Sequence, residues 1–384
     1  MLTSGINFVN FKTSIKIKSL KKKFTSLINE NNEIIKSLSK NYKDSYKKNN
    51  IIKYKKNSEF RVIGIGGSSL GIQAIYNFLK HKVKNKFIFI DNLISEKKKY
   101  KKKIFTNLII SKSGNTIETI VNSNILIKNT DKNIFITENK KNYLHILAKK
   151  LKAEVVHHNN FIGGRYSVLS EVGMLPAELM GLKSGNFRQL NSLIKNKKFI
   201  NSLISNVSST LYFIKKKKFN SVIINYDEKS DNLFKWYQQL VAESLGKNKK
   251  GLFPIVSSMP KDNHSVMQLY LDGLQNSFFT FFYVHEKKTE KIKNNLVLPS
   301  QKYLRNKDVS KIIFAQKKAT ENVFKKKNIP FRSFEINKRD EATLGELFCF
   351  FILETILIGK SLNINPYDQP AVELIKKETK KILI

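Results

Sequence analysis

Cysteine is almost missing from this chain: Cys349 is the single one among 384 residues. One thiol cannot close an internal disulfide, so the fold must rest on apolar packing, and the run "LFCFFIL" around Cys349 reads as core. A reducing, cytoplasmic setting fits. Arginine is scarce as well, with six residues in a Lys+Arg total of 70. Acidic residues number 30, the first being Glu30, which leaves a formal net charge of +40. Such a surplus suits polyanions through counterion release. Base-edge and bidentate phosphate recognition, however, favour Arg over Lys. The lysines are also scattered along the whole chain, in runs such as residues 97–99, 101–103 and 215–218. That is the pattern of solvated faces under compositional drift. No specific nucleic-acid partner is expected, only weak, salt-sensitive polyanion binding.

Long apolar runs are absent too. Stretches such as residues 348–358 fall short of the roughly 20 residues that cross a bilayer, so no membrane partner is expected. The N-terminus has no continuous apolar stretch behind its charges, which argues against a secretory signal. No His-x-x-x-His, Cys-x-x-Cys or Glu-x-x-His spacing accompanies the candidate histidine, so no metal is expected. The Gly-x4-Gly-Lys-Ser/Thr spacing of a nucleoside-triphosphate loop is missing.

What is present is enough apolar residue, 41%, to fill two cores, and a length that suggests two domains. Residues 1–55 are rich in Lys and Asn, with helical spacing from Phe24 to Leu38, and read as surface helices. From residue 60, short apolar strands alternate with helices. Strands are expected at 61–65, 86–90, 105–110, 133–137 and 154–157, and again at 221–226, 252–257, 278–284 and 331–336. Helices are expected at 70–79, 118–127 and 142–151, then at 232–245, 264–274, 309–325 and 342–358, with a last one from Asp368. Helical segments at 170–180 and 187–214 would connect the two series. Continuous apolar strands separated by helices mark parallel sheets covered on both faces. The chain therefore reads as an α/β protein of two tandem doubly wound parallel-sheet domains, residues 56–200 and 201–366. Helical segments at 1–55 and 367–384 flank them.

Two loops could hold an anion. "RVIGIGGSSLG" (residues 61–71) puts a Gly-rich turn between a strand and a helix, where backbone can approach a ligand closely; a plain tight turn needs the same glycines. "LIISKSGNTIET" (residues 108–119) concentrates Ser111, Lys112, Ser113, Gly114, Asn115 and Thr116 between a strand and a helix start. Phosphate oxygens accept from several donors at once, and this array supplies them. Asn115 and Glu118 have the spacing of a capping box, and a capped helix start can also be an anion site.

Four further segments carry groups suited to proton chemistry. In "GGRYSVLSEVGMLPAELMG" (residues 163–181), Arg165 stands beside glycines and a Tyr-Ser pair, either as a cation aimed into a cleft or as a structural ion pair. In "WYQQLVAESLGK" (residues 236–247), Gln239 and Glu243 lie four apart on one helical face that also carries Trp236. Partial desolvation there would suit Glu243 to general-base work, although most glutamates are simply solvated. In "KDNHSVMQLYLDG" (residues 261–273), His264 sits at a loop-to-helix junction and can hold a proton near neutrality. In "NPYDQPAVELIKKETKK" (residues 365–381), Asp368 is a good N-cap, Pro370 fits a first turn, and Gln369 and Lys376 share a face two turns apart.

Taken in order, "GIGGSSLG", "SKSGNTIET", "GGRYSVLS", "QQLVAESLGK", "DNHSVMQ" and "NPYDQPAVELIK" resemble the glucose-6-phosphate isomerase (phosphoglucose isomerase) family, from residue 64 to residue 376. The Gly-Gly-Arg-Tyr-Ser and Asp-Gln-x-x-Val-Glu-x-x-Lys blocks are the most specific. The resemblance implies two sugar-isomerase (SIS) domains with flavodoxin-like sheets and a C-terminal segment that wraps back. It matches Ser111, Lys112, Ser113 and Thr116 to the phosphate loop. Gly67, Ser68, Gly164, Gln239 and Gln369 match residues lining the sugar. Glu243 matches the catalytic base, Arg165 the cation that steadies an enediolate, and His264 and Lys376 the groups that assist ring opening. It further implies a hexose 6-phosphate substrate, no cofactor, and a homodimer whose sites share the partner's His264. Ala371 departs from a frequent Gly, Pro370 follows Gln369, and the chain is shorter than most relatives. A non-catalytic sugar-phosphate-binding regulator on the same domains is the alternative expectation.

Overall fold

A computed structural model describes residues 1–13, 15–55, 59–95, 104–273 and 275–384. The Lys runs 97–99 and 101–103, and the end of the expected helix at residue 274, lie outside the described residues. The chain forms two compact units, one from residues 1–17, 197–231 and 252–339, the other from 18–196, 232–251 and 340–384. Neither unit is continuous in sequence, whereas the sequence reading used contiguous blocks. Burial groups residues by contact rather than by chain order.

The larger unit holds a five-stranded parallel sheet in the spatial order Lys86–Ile90, Glu59–Ile63, Thr106–Ile110, Lys132–Thr137, Glu154–His157. Numbered along the chain this is 2-1-3-4-5, the flavodoxin-like order. Thr106–Ile110 is buried at every position, as expected of a strand covered on both faces. Ile63, Ile109, Leu126, Phe135, Leu144 and Ala148 form the core on one face. Among the N-terminal helices, Ser19–Asn29 buries Leu20, Phe24 and Leu27 and packs on the helix Glu341–Ser361.

That last helix is longer than the sequence reading allowed. At 21 residues it is the one described helix long and apolar enough to cross a membrane, and 89% of its apolar window is buried inside the protein. Polar residues at both ends had made the apolar run look shorter. Full burial of each Leu, Ile or Phe it carries contributes about 1.5–3 kcal/mol, so it is a principal core element of this unit.

The smaller unit repeats the winding. Its strands lie in the order Phe253–Ser258, Asn220–Asn225, Ser277–Val284, Phe331–Ile336, all parallel, with Ile6–Val9 added antiparallel at the edge. Ser277–Val284 is buried throughout. The edge strand Ile6–Val9 corrects the purely helical reading of residues 1–55. Four residues with a single neighbour leave too short an alternation to recognise, and their partner, Phe331–Ile336, lies more than 300 residues away.

Candidate active site

In an open doubly wound sheet, ligands bind outside the carboxyl ends of strands where the order reverses. In the larger unit that point falls between Glu59–Ile63 and Thr106–Ile110, and the loops leaving those two strands are the two Gly- and Ser-rich segments.

The first loop enters a short 3-10 helix at Gly66–Ser68 and then the helix Leu70–Phe78. Gly66 has φ +57°, and a Cβ there would stand 2.8 Å from Gln239 Nε2. A Cβ on Gly67 would stand 2.1 Å from the carbonyl carbon of Gly164. Residues 66 and 67 are therefore glycine because backbone must touch the Gln239 amide and the Gly164 backbone directly. Ser68 is partly exposed beside them. On its other side the same loop meets the strand Thr106–Ile110: a Cβ on Gly64 would stand 3.0 Å from the Ile110 carbonyl oxygen.

The second loop, residues 111–116, opens the helix Ile117–Leu126. Ser111 Oγ and Thr116 Oγ1 are 2.8 Å apart. Thr116 is the N-cap residue but makes no side-chain cap bond. Asn115 Oδ1 instead accepts from Tyr143 N at 3.0 Å, so the expected Asn115–Glu118 capping box does not form. The first-turn amides are left without that cap, an anion-binding arrangement. Gly114, at φ +66°, leaves room for Asn142, which a Cβ would approach to 2.1 Å. Asn142 caps the next helix through His145 N at 3.0 Å and so fixes the turn. Ser113 is exposed and its Oγ accepts from Asn115 N at 3.3 Å. The Lys112 ammonium lies 3.4 Å from Glu138 Oε1.

The third part is a cluster around Arg165, which is 1% exposed. Its guanidinium spends all five N–H groups. Nε donates to Ser244 Oγ (2.8 Å), Nη1 to Gln369 Oε1 (2.6 Å) and Glu243 Oε2 (3.3 Å), and Nη2 to the carbonyls of Pro366 (2.7 Å) and Asp368 (2.9 Å). Trp236 is fully buried and donates Nε1 to the Arg165 carbonyl at 3.1 Å. The tryptophan thus anchors the arginine backbone, a role its position in the motif did not reveal. Gln239 and Glu243 meet as their spacing predicts, with Nε2 donating to Oε1 at 2.9 Å. Each Glu243 oxygen accepts one bond from these two partners and keeps capacity for another. The Glu243 side chain is 28% exposed, so it can be approached from solvent. It borders a cleft of about 690 Å³ that is also lined by Gln369, Asp368, Asn365, Lys247 and Lys250.

Two details of the C-terminal segment differ from the sequence reading. Asp368 does not cap the last helix, which begins at Val372 with Ala371 as its N-cap. Its carboxylate pairs with Lys247 Nζ at 2.8 Å, and this ammonium holds it below the usual carboxylate range. Gln369 therefore lies ahead of the helix, drawn to Arg165, and does not share a helical face with Lys376. Lys376 sits on that helix, which has no buried residue, and pairs with Glu373 at 2.6 Å. His264 belongs to the smaller unit, where it is exposed at the end of the 3-10 helix Lys261–His264. Among the described residues no cluster of three or more His, Cys, Asp and Glu is placed to hold a metal ion.

Sequence reasoning singled out neither Ser244 nor Lys247, nor the carbonyls of Pro366 and Asp368. Ser244 left a usable signal: a hydroxyl on a helix between Glu243 and Leu245, adjacent to a base, must find a partner if buried.

Together these observations define a class: a doubly wound α/β protein with a hydroxyl-rich loop and an uncapped helix start at its switch point, and an approachable carboxylate held by an amide and a guanidinium. The comparisons narrow it. A family model described as phosphoglucose isomerase matches residues 11–384. A glucose-6-phosphate isomerase of Methanocaldococcus jannaschii is 34% identical over 358 residues, covering 88% of each chain. One from Mesomycoplasma hyopneumoniae is 34% identical over 352 residues, covering 84% of this chain and 82% of its own. Among solved structures, a hypothetical protein of Thermus thermophilus superposes with TM-score 0.82 at 21% identity, covering 95% and 94% of the two chains. A glucose-6-phosphate isomerase from Chlamydia trachomatis does so with TM-score 0.75 at 16% identity, covering 99% and 89%. The last two speak to the fold. The chain belongs to the phosphoglucose isomerase family.

Proposed function

We propose that this chain is an aldose–ketose isomerase that interconverts D-glucose 6-phosphate and D-fructose 6-phosphate. The observation that carries the reading is the carboxylate of Glu243, approachable from the cleft and fixed at both oxygens by Gln239 and Arg165. The 64–67 backbone that touches Gln239 also meets the strand leading into the 111–116 loop.

In this reading the phosphate binds to Ser111, Ser113, Thr116 and the amides opening the helix Ile117–Leu126, with Lys112 near the rim. Gly67, Ser68, Gly164, Gln239 and Gln369 line the sugar. Glu243 takes the proton from the second carbon of the open-chain aldose. The C–H electron pair becomes the double bond of a cis-enediolate, and the carbonyl oxygen takes up negative charge. Arg165, a permanent cation, stabilises that charge without reorganising. The hydroxyl proton on the second carbon's oxygen passes to the first carbon's oxygen, and Glu243 returns its proton to the first carbon, giving the ketose. One carboxylate serves both steps because the carbons are adjacent. Atoms and electrons balance within the sugar, so the step calls for no redox partner. Ring opening by His264 and Lys376, and a homodimer whose sites share the partner's histidine, rest on the family resemblance. A cytoplasmic setting rests on the single buried Cys349.

The test is a coupled assay of fructose 6-phosphate conversion with the purified chain, repeated with mannose 6-phosphate. Turnover of fructose 6-phosphate supports the reading, and its absence in a folded preparation that still binds the sugar would favour the regulator alternative.

A further inference from the structure

We infer that Ser244 is a positioning residue that sets the plane of the Arg165 guanidinium, an inference that rests on the isomerase reading above. Ser244 is completely buried, as is Tyr166. Its Oγ accepts from Arg165 Nε at 2.8 Å and lies 2.8 Å from the Tyr166 hydroxyl, which donates to the Pro366 carbonyl at 3.0 Å. The tyrosine's single proton is thereby committed to Pro366. The serine proton must then go to the tyrosine oxygen. The same Pro366 carbonyl accepts from Arg165 Nη2 at 2.7 Å. The result is a closed ring, Arg165 to Ser244 to Tyr166 to Pro366 and back to Arg165, in which every hydroxyl has one determined direction.

The ring occupies the Nε and Nη2 edges of the guanidinium and leaves the Nη1 edge to face Glu243 and Gln369. Ser244 follows Glu243 directly on the helix Asp231–Leu245. One rigid element therefore holds the base and the hydroxyl that aims the cation. If the hydroxyl is lost, a buried Nε–H has no acceptor and the guanidinium can turn about its long axis. Preorganisation toward a developing oxyanion is then lost, while the phosphate loop, which the serine does not touch, keeps its grip on the substrate.

The experiment compares Ser244→Ala, Arg165→Ala and the double variant in the full-length chain, with kcat, KM and melting temperature for each. Ser244→Ala is expected to lower kcat about 10- to 100-fold, the range for a lost bond to a charged group, with KM within threefold. In the Arg165→Ala background the same change is expected to have no further effect on kcat. Should Ser244→Ala not fold, Ser244→Cys, which fills the same space with a weak acceptor, takes its place in the cycle. A kcat within twofold of the parent, or an equal loss in both backgrounds, overturns the positioning role. If the unaltered chain converts no hexose phosphate, the isomerase reading falls first and the inference with it; an active parent with an indifferent Ser244→Ala removes the inference alone.

Discussion

Arg165 and Glu243 form the loosest bond in their cluster. Nη1 lies 3.3 Å from Oε2, whereas the guanidinium's four other bonds lie between 2.6 and 2.9 Å. The cation is thus fixed by neutral acceptors first and by the carboxylate last. That ordering suits a base: a tight bidentate pair would tie up both Glu243 oxygens, and a long single contact leaves a lone pair free for a proton.

Replacing Glu243 by Gln keeps the shape of the group and removes its basicity. Turnover is expected to fall by about 10²–10⁴-fold or more, while fructose 6-phosphate still binds within a few-fold of its original affinity by titration calorimetry. Near-normal turnover would take Glu243 out of the role of base.

Replacing Arg165 by Lys preserves the charge and loses the fork. An ammonium cannot reach Ser244, Glu243, Gln369, Pro366 and Asp368 together. We expect kcat to fall roughly 10²–10³-fold, the scale for lost preorganised stabilisation of a developing negative charge, and the melting temperature to drop because buried acceptors lose partners. Steady-state kinetics and a thermal melt check both; kcat within threefold of the parent would contradict the preorganised-fork argument.

Much of this was readable in the sequence, for a physical reason. Parallel strands covered on both faces carry continuous apolar runs, so nine of the ten strands among the described residues, such as Thr106–Ile110 and Ser277–Val284, stand out from the helices between them. The loops after the first and third strands of the larger unit are conspicuous because glycines and hydroxyls gather where an apolar run stops. Gln239 and Glu243 could be paired because helical spacing is local. What stayed hidden is non-local. Nothing in the segment 365–369 says that Lys247 will hold Asp368 or that Arg165 will take the carbonyls of Pro366 and Asp368. Good N-cap chemistry at Asp368 lost to a remote ammonium, and the Asn115 cap lost to the Tyr143 amide. The edge strand Ile6–Val9 was missed because its pairing information lies in Phe331–Ile336.

If residues 111–116 anchor the phosphate as proposed, that loop should act on binding more than on chemistry. Ser111→Ala and Thr116→Val each remove one hydroxyl of the pair at 2.8 Å, and each is expected to raise KM for fructose 6-phosphate about tenfold with kcat within threefold. Glu243 and Arg165 are untouched, so a kcat effect larger than the KM effect would point away from a phosphate-anchoring role for these hydroxyls.

The smaller unit offers a separate test through pH. Lys317 is fully buried and lies 2.5 Å from Glu335 Oε1 and 2.7 Å from Glu321 Oε1; Lys318 reaches Glu335 at 2.6 Å. His285 is 3.5 Å from the other Glu335 oxygen. Burial pushes the Glu335 carboxyl up, but the two ammonium groups outweigh it and bring it down to about 2 from an ordinary 4.5. A group depressed on folding stabilises the fold above its unfolded pKa and loses that contribution as pH falls through its folded pKa. Glu335 should therefore contribute in full near neutrality, and the contribution should vanish between about pH 4.5 and about pH 2. Discounted for partial exposure to solvent, it is roughly 1–2 kcal/mol. Urea melts of the parent and of Glu335→Gln should differ by that amount at pH 7 and converge as the solution is acidified, because only the parent has a carboxylate at position 335 to protonate. A gap that stays constant down to the acid limit would mean that the variant loses packing rather than charge, and that Glu321 alone suffices to hold the buried Lys317.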